Sequence, residues 1–179
     1  MAAVTSRYAR AFVDAVFELK LDSPKVVQDL HAVLNVSNEN PELQQIWENP
    51  SIPAEQKRNL LDAITARLGV VKYVRNFLAI LIDHHRMVML PEIVTQFEHE
   101  LNERLGFAEA EITSARELVD QQRRELELQI SQMTGKRVLA KYAIDASLLG
   151  GAMVRVGSTI YDGSVRGQLQ KMKEELVNS

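Results

Sequence analysis

The hydrophobic period of this chain changes at Leu105-Gly106, and that change limits what it can fold into. Up to that point apolar residues recur at helical spacing. Beyond it, "FAEAEITS" (Phe107–Ser114) alternates, with Ala108, Ala110 and Ile112 on one face. Neither a pure bundle nor a pure sheet satisfies both patterns. The expected class is α+β, mainly α: a six-helix bundle over residues 1–106, then a small α+β domain over 107–179 with a short sheet and two helices. A length of 179 residues suits one domain or two small ones.

Punctuation divides the first half. Thr5–Lys20 carries the first helical pattern. Ser23-Pro24, a cap followed by proline, opens Lys25–Val36. Pro41 starts a short helix holding Trp47, and "NPSIP" (Asn49–Pro53) breaks the chain. Pro53 opens a helix that stops at Leu68-Gly69, where glycine takes a left-handed turn. Val70–Asp83 forms a fifth helix, and the last begins around Leu90-Pro91 and ends at Leu105. Such short connections give a compact bundle.

In the second half, Ser114 precedes Glu117 by three residues, a capping-box spacing that predicts a helix from Ala115. Leu118, Val119, Gln122, Leu126, Ile130 and Met133 make its stripe, and Thr134-Gly135 ends it. "RVLAKYAID" alternates next, grouping Val138, Ala140, Tyr142 and Ile144. "AMVRV" and "TIY" are further strands joined by Gly157-Ser158, a two-residue hairpin signal. A closing helix carries Val165, Leu169, Met172 and Leu176.

No catalytic arrangement emerges. The glycine-rich stretch Ala146–Leu169 has no Gly-Lys-Ser/Thr and no G-x-G-x-x-G on a strand-to-helix turn, so it is no phosphate loop. Its glycines fit backbone roles. Gly150-Gly151 bends the chain into a strand, Gly157 makes the hairpin, and Asp162-Gly163 turns toward a helix capped by Ser164. The absence of cysteine excludes thiolate metal sites and cysteine nucleophiles and fits a reducing compartment. His84 and His85 are adjacent on a helix end and diverge by about 100°, so they do not share a metal. No cofactor and no metal is expected. "FLAILI" (Phe77–Ile82) is far too short to span a membrane. Asp14 and Glu18 interrupt what would be the core of a signal peptide. Membrane association is expected only through partners.

Two helices carry more apolar surface than one core contact uses. Beside Phe12, Val13, Val16, Phe17 and Leu19, the first helix has a flatter strip, Tyr8, Ala11 and Ala15. On the fifth, Tyr73, Ile80 and His84 run past the face made by Val70, Val74, Phe77, Leu78 and Leu81. Either both strips are buried in the bundle, or they border a groove for a partner's amphipathic helix.

"RYARAF", "RMVMLPEIVTQF", "ITSARELV" and above all "IDASLLGGAMVRVGSTIYDGSVRGQL" together resemble the delta subunit of bacterial F-type ATP synthase, whose mitochondrial counterpart is the oligomycin-sensitivity-conferring protein. The resemblance runs the whole length, in order. It implies a peripheral-stalk protein that is not itself an enzyme, present once per complex at the cytoplasmic face of the bacterial plasma membrane. It also implies that the N-terminal bundle binds N-terminal segments of alpha subunits, through Tyr8, Ala11, Ala15, Tyr73, Asn76 and Ile80. The C-terminal domain would hold the C-terminal region of b-type stalk subunits, with Gly150, Gly151, Arg155, Arg166, Lys171 and Lys173 as candidate contacts.

A different reading is a nucleic-acid-binding or other helical adaptor. Lys136, Arg137, Lys141, Arg155, Arg166, Lys171 and Lys173 face only Asp145 and Asp162 within their stretch. Against it, only Tyr142 and Tyr161 offer rings there, and the net charge is −3. No direct contact with nucleotide or nucleic acid is expected.

Overall fold

A computed structural model of the chain describes residues 2–169. It divides into two compact units, Met1–Leu101 and Asn102–Ser179. The first is built from α1 (Ala2–Glu18), α2 (Ser23–Glu39), α3 (Pro41–Glu48), α4 (Ala54–Leu68), α5 (Lys72–Asp83) and, after one 3-10 turn at Met87–Met89, α6 (Leu90–Arg104). Gly69 stops α4 at φ +68° as its position requires, its N–H returning to the Ala66 and Thr65 carbonyls. α5 starts later than the sequence suggests, because Val70-Val71 stays outside the helix and the Val71 N–H is taken by the buried Asp29 carboxylate at 2.8 Å. Likewise Asp22 rather than Ser23 is the residue before α2, with Pro24 in its first turn.

The bundle core gathers Phe12, Val13 and Val16 of α1 with Leu30, Leu61, Leu78, Leu81, Ile93 and Phe97, all buried. Phe17 and Leu19, read from sequence as part of the apolar face of α1, are instead 40% and 51% exposed. At helical spacing they fall on the side away from Phe12 or past the last turn. Trp47 is buried and donates its indole N–H to the Ser37 hydroxyl at 3.2 Å. Lys57, also buried, donates to the Trp47 carbonyl, so a cation satisfies the end of α3.

The second unit is a mixed four-stranded sheet in the order β2-β1-β3-β4, formed by β1 (Phe107–Ser114), β2 (Arg137–Ile144), β3 (Ala152–Val156) and β4 (Thr159–Asp162). α7 (Asp120–Thr134) joins β1 to its parallel partner β2, with Ala110 opposite Ala140 and Ile112 opposite Tyr142. β3 runs antiparallel to β1, and β4 to β3. Gly157 (φ +58°) makes the two-residue hairpin between Val156 and Thr159. Ala110, Ile112, Val154 and Ile130 form the small core, with Leu118, Leu126, Val138 and Tyr142 packed around it.

Here the sequence reading needs three corrections. No helix starts at Ala115: Ser114 lies on the buried face of β1 with Ala110 and Ile112, and its hydroxyl donates to the Arg116 carbonyl rather than capping a helix. The cap sits later, where the Gln122 side chain accepts the Val119 N–H at 3.3 Å. Within the predicted stripe, Val119 and Met133 are 62% and 60% exposed, since the helix begins only at Asp120 and its core stripe is carried by Leu126 and Ile130. Ile144, at the end of β2, is also exposed.

The start of the closing helix follows the sequence. Residues 165–169 are helical, and the Ser164 hydroxyl accepts the Gly167 N–H at 3.0 Å. Val165 and Leu169 are exposed on it, while Met172 and Leu176 lie outside the described residues.

Tyr142 gives this small core a titration signature. Burial chiefly, and then its 2.6 Å bond to Glu127, push its hydroxyl up to about 12. A folded-state value above the unfolded one favours the protonated form. The associated stability is therefore complete below about pH 10 and lost as pH rises toward 12. Absorbance at the tyrosinate band should show one late-titrating ring that Tyr142→Phe removes. Four rings titrating together in the native protein would contradict this.

Candidate functional site

α1 and α5 meet through a stacked ring pair. The Phe12 and Phe77 centroids are 4.1 Å apart and their planes nearly parallel at 4°. Farther along, Tyr8 lies 6.3 Å from His84, which ends α5. Residue 8 thus faces residue 84 and residue 12 faces residue 77, so the two helices run in opposite directions.

Helical geometry then settles where the two strips lie. At about 100° per residue, Tyr8, Ala11 and Ala15 fall next to Phe12 on the side away from the centre of the buried face of α1. Tyr73, Asn76 and Ile80 fall next to Phe77 on the corresponding side of α5. The stacked phenylalanines form a floor and the strips form its walls. Ala11, Tyr73, Asn76 and Ile80 are exposed, Tyr73 at 45% and Ile80 at 48%, whereas Tyr8 and Ala15 are half-buried. Ala11 and the α5 strip are thus at the surface, while Tyr8 and Ala15 pack partly against the bundle core.

The walls differ in character. The α1 side is low because Ala11 and Ala15 are small. The α5 side is taller, with Tyr73 and Ile80 one on each side of Asn76. An amide there is not explained by packing. Its oxygen accepts from Arg75 Nη1 at 3.3 Å, and Arg75 in turn clasps Asp62 of α4 through Nε at 2.5 Å and Nη2 at 2.8 Å. The hydrogen bonding of that pair holds the Asp62 carboxyl below its usual range and raises the Arg75 guanidinium. Asp62 and Arg75 are thirteen positions apart on separate helices, so no sequence spacing announces this relay.

In the second unit the candidate residues separate into two places. Gly151 (φ +73°) lies against the backbone of Gly163 and Ser164, and the Gly150 carbonyl accepts the Val165 N–H at 3.0 Å. Arg166 belongs to the same corner, donating to the Ser147 hydroxyl at 3.2 Å. Ser147 donates its N–H to Asp145, and Ser147 above all holds that carboxyl below its usual range. Gly150 and Gly151 also line an open cleft of about 580 Å³ with Leu118, Gln122 and Leu126. Arg155 lies elsewhere, on the opposite face of the sheet, where it pairs with Glu111 at 3.6 Å. Lys171 and Lys173 lie outside the described residues.

Among the described residues, no group of three His, Asp or Glu side chains could hold a metal, and no helix is long and apolar enough to cross a membrane. His31 is committed to Glu98 at 2.6 Å.

With an exposed strip beside the Phe12–Phe77 pair in one unit and a glycine-shaped corner in the other, the chain can be compared with known proteins. Residues 4–176 match the family described as ATP synthase delta (OSCP) subunit. The chain is similar to the ATP synthase subunit delta of Koribacter versatilis, 51% identical and covering 98% of each chain. It is 43% identical to that of Acidobacterium capsulatum, again over 98% of each. In fold it resembles a chain of the Toxoplasma gondii mitochondrial ATP synthase hexamer, with a TM-score of 0.70, 20% identity and 97% of both chains covered. The chain belongs to the ATP synthase delta (OSCP) subunit family.

Proposed function

We propose that this chain is a non-catalytic stator subunit of an F-type ATP synthase, joining the catalytic head to the membrane-anchored b-type stalk so that the head does not turn with the rotor. In this reading, residues 1–106 bind N-terminal segments of alpha subunits and residues 107–179 hold the C-terminal region of the stalk subunits. One copy would serve each complex, peripherally at the cytoplasmic face of the bacterial plasma membrane. The observation that carries the reading is the groove over the Phe12–Phe77 pair, whose exposed apolar walls suit an amphipathic helix. Two linked attachments on separate units also suit a joint under torque, because each keeps the other's partner at high local concentration.

In the second unit, Gly150, Gly151 and Arg166 form one corner for the stalk, with Lys171 and Lys173 following in sequence. Arg155 would make a separate contact from the far face of the sheet. Rim charges such as these set association rate and salt dependence more than final affinity.

Ala11 supplies the test. It is exposed, so Ala11→Asp should leave the fold intact. Under a docked helix the new carboxylate would lose water without a partner. Binding of an alpha-subunit N-terminal peptide should weaken by more than about 2 kcal/mol, on the order of thirtyfold in Kd. Calorimetric titration reads this directly, and unchanged binding would remove the groove from the proposal.

A further inference from the structure

We propose that Asn76 decides which helix the α1/α5 groove accepts, by requiring a hydrogen-bond acceptor on the guest's otherwise apolar face. The inference rests on the groove reading above and adds to it a rule of selection.

The orientation of the amide is the starting point. Arg75 is fixed from below by two bonds to Asp62, and its remaining Nη1 engages the Asn76 oxygen. A guanidinium has only donors to offer, so the oxygen of Asn76 is the end that turns to it. That leaves the side-chain NH₂, with two donors, for the groove side. Among the described residues no acceptor is recorded for it. In the free protein water satisfies those donors, as the exposure of Asn76 allows.

A docked helix changes their situation. Tyr73 and Ile80, on either side, are the large apolar anchors of this wall, and a guest that covers both also covers Asn76. The amide donors then lose water. A guest with only leucine-like residues leaves them unpaired, whereas one with Glu, Gln, Asp or Ser at the facing position pairs them. The selection is by penalty: the wrong helix is rejected more than the right one is rewarded. Of the neighbouring charges, Arg75 is paired with Asp62 and Arg58 with Asp83, whereas Lys72, one turn before Asn76, is exposed, so the neutral acceptors Gln and Ser isolate the contribution of the amide.

The test uses the full chain and synthetic peptides of the N-terminal segment of the cognate alpha subunit, with each polar residue of the bound face replaced in turn by leucine. One replacement should weaken binding to the native chain about tenfold and have little effect on Asn76→Leu. Asn76→Asp should invert the preference, since a carboxylate keeps the bond to Arg75 but offers the groove only acceptors. A lysine at that same guest position should then bind better than the acceptor. Circular dichroism would confirm that both variants keep the helical bundle. Peptides that bind the native chain but respond identically in Asn76→Leu and Asn76→Asp would overturn the selection while leaving the groove in place. Failure of every peptide to bind would overturn the groove and the selection with it.

Discussion

Replacing Gly151 by aspartate is expected to melt the sheet of the second unit while leaving the helical bundle folded. Gly151 adopts φ +73°, a region that costs an L-residue about 1–2 kcal/mol. A Cβ there would also sit 2.4 Å from the Gly163 carbonyl oxygen and 3.2 Å from the Ser164 Cα. Those atoms are backbone and cannot swing away. The Gly151 carbonyl accepts the Ala115 N–H, and β3 begins at the next residue, so any shift is passed to two strands. A total loss of at least about 3 kcal/mol is large for so small a core. Amide exchange should show protection lost along β1 and β3 and kept in α1–α6, whose core shares no residue with that of the sheet. Under the proposed assignment of partners to the two units, attachment to the b-type stalk should fail in the same protein while the alpha peptide still binds. Gly69→Ala is the control: it has the same sign of φ but nothing within 4 Å of the added carbon, and should cost only about 1 kcal/mol. Intact protection of β3 in Gly151→Asp would show that the close approach is not needed.

The second large effect is expected at Asp29. Its carboxylate is buried and does two things: one oxygen takes the Val71 N–H at 2.8 Å, and the other pairs with Lys25 at 2.8 Å. It thereby ties α2 to the start of α5. Asp29→Ala leaves a backbone donor without its acceptor and a half-buried ammonium without its counter-charge, which should cost about 3 kcal/mol. Urea unfolding followed by the fluorescence of Trp47 reads the bundle alone, since this is the only tryptophan. Asp29→Asn keeps an acceptor for Val71 and should recover about half of the loss. Equal destabilisation by the two substitutions would place the whole effect in the ion pair with Lys25.

What the sequence could and could not announce follows from the range of the forces involved. Stops at Gly69 and Gly135, the hairpin at Gly157 and the cap at Ser164 are local: each depends on dihedrals or on a partner within a few residues. Such features were readable. The capping-box spacing at Ser114 misled because pairing with Ile144 and Ala152 keeps that residue in β1, a tertiary fact, and its hydroxyl goes to the Arg116 carbonyl. The exposure of Val119 and Met133 follows from the late start of α7 at Asp120 and from which of its faces meets the sheet. At the groove, spacing singled out the strips on α1 and α5. Their surface position needed the Phe12–Phe77 contact, and the setting of Asn76 needed a salt bridge from a third helix. Of the C-terminal candidates, Gly150, Gly151 and Arg166 are within one turn region of each other, but no pattern in the sequence separates Arg155 from them. That separation comes from the antiparallel return of β3 along β1.

The position of β1 matters for the ribosome as well as for the finished subunit. It is the first strand to be synthesised yet lies inside the sheet, with its partners Arg137 and Val156 far downstream. Every contact of the bundle core, by contrast, is available once Leu101 has emerged. A growing chain can complete its helical half early. It then carries an unpaired, half-apolar strand edge until the β3–β4 hairpin arrives. Non-local pairing of this kind is slow relative to helix docking, so the sheet should set the rate at which the subunit becomes competent for assembly. The helical half would be ready first and the sheet last, an order of maturation set by the order of the strands along the chain.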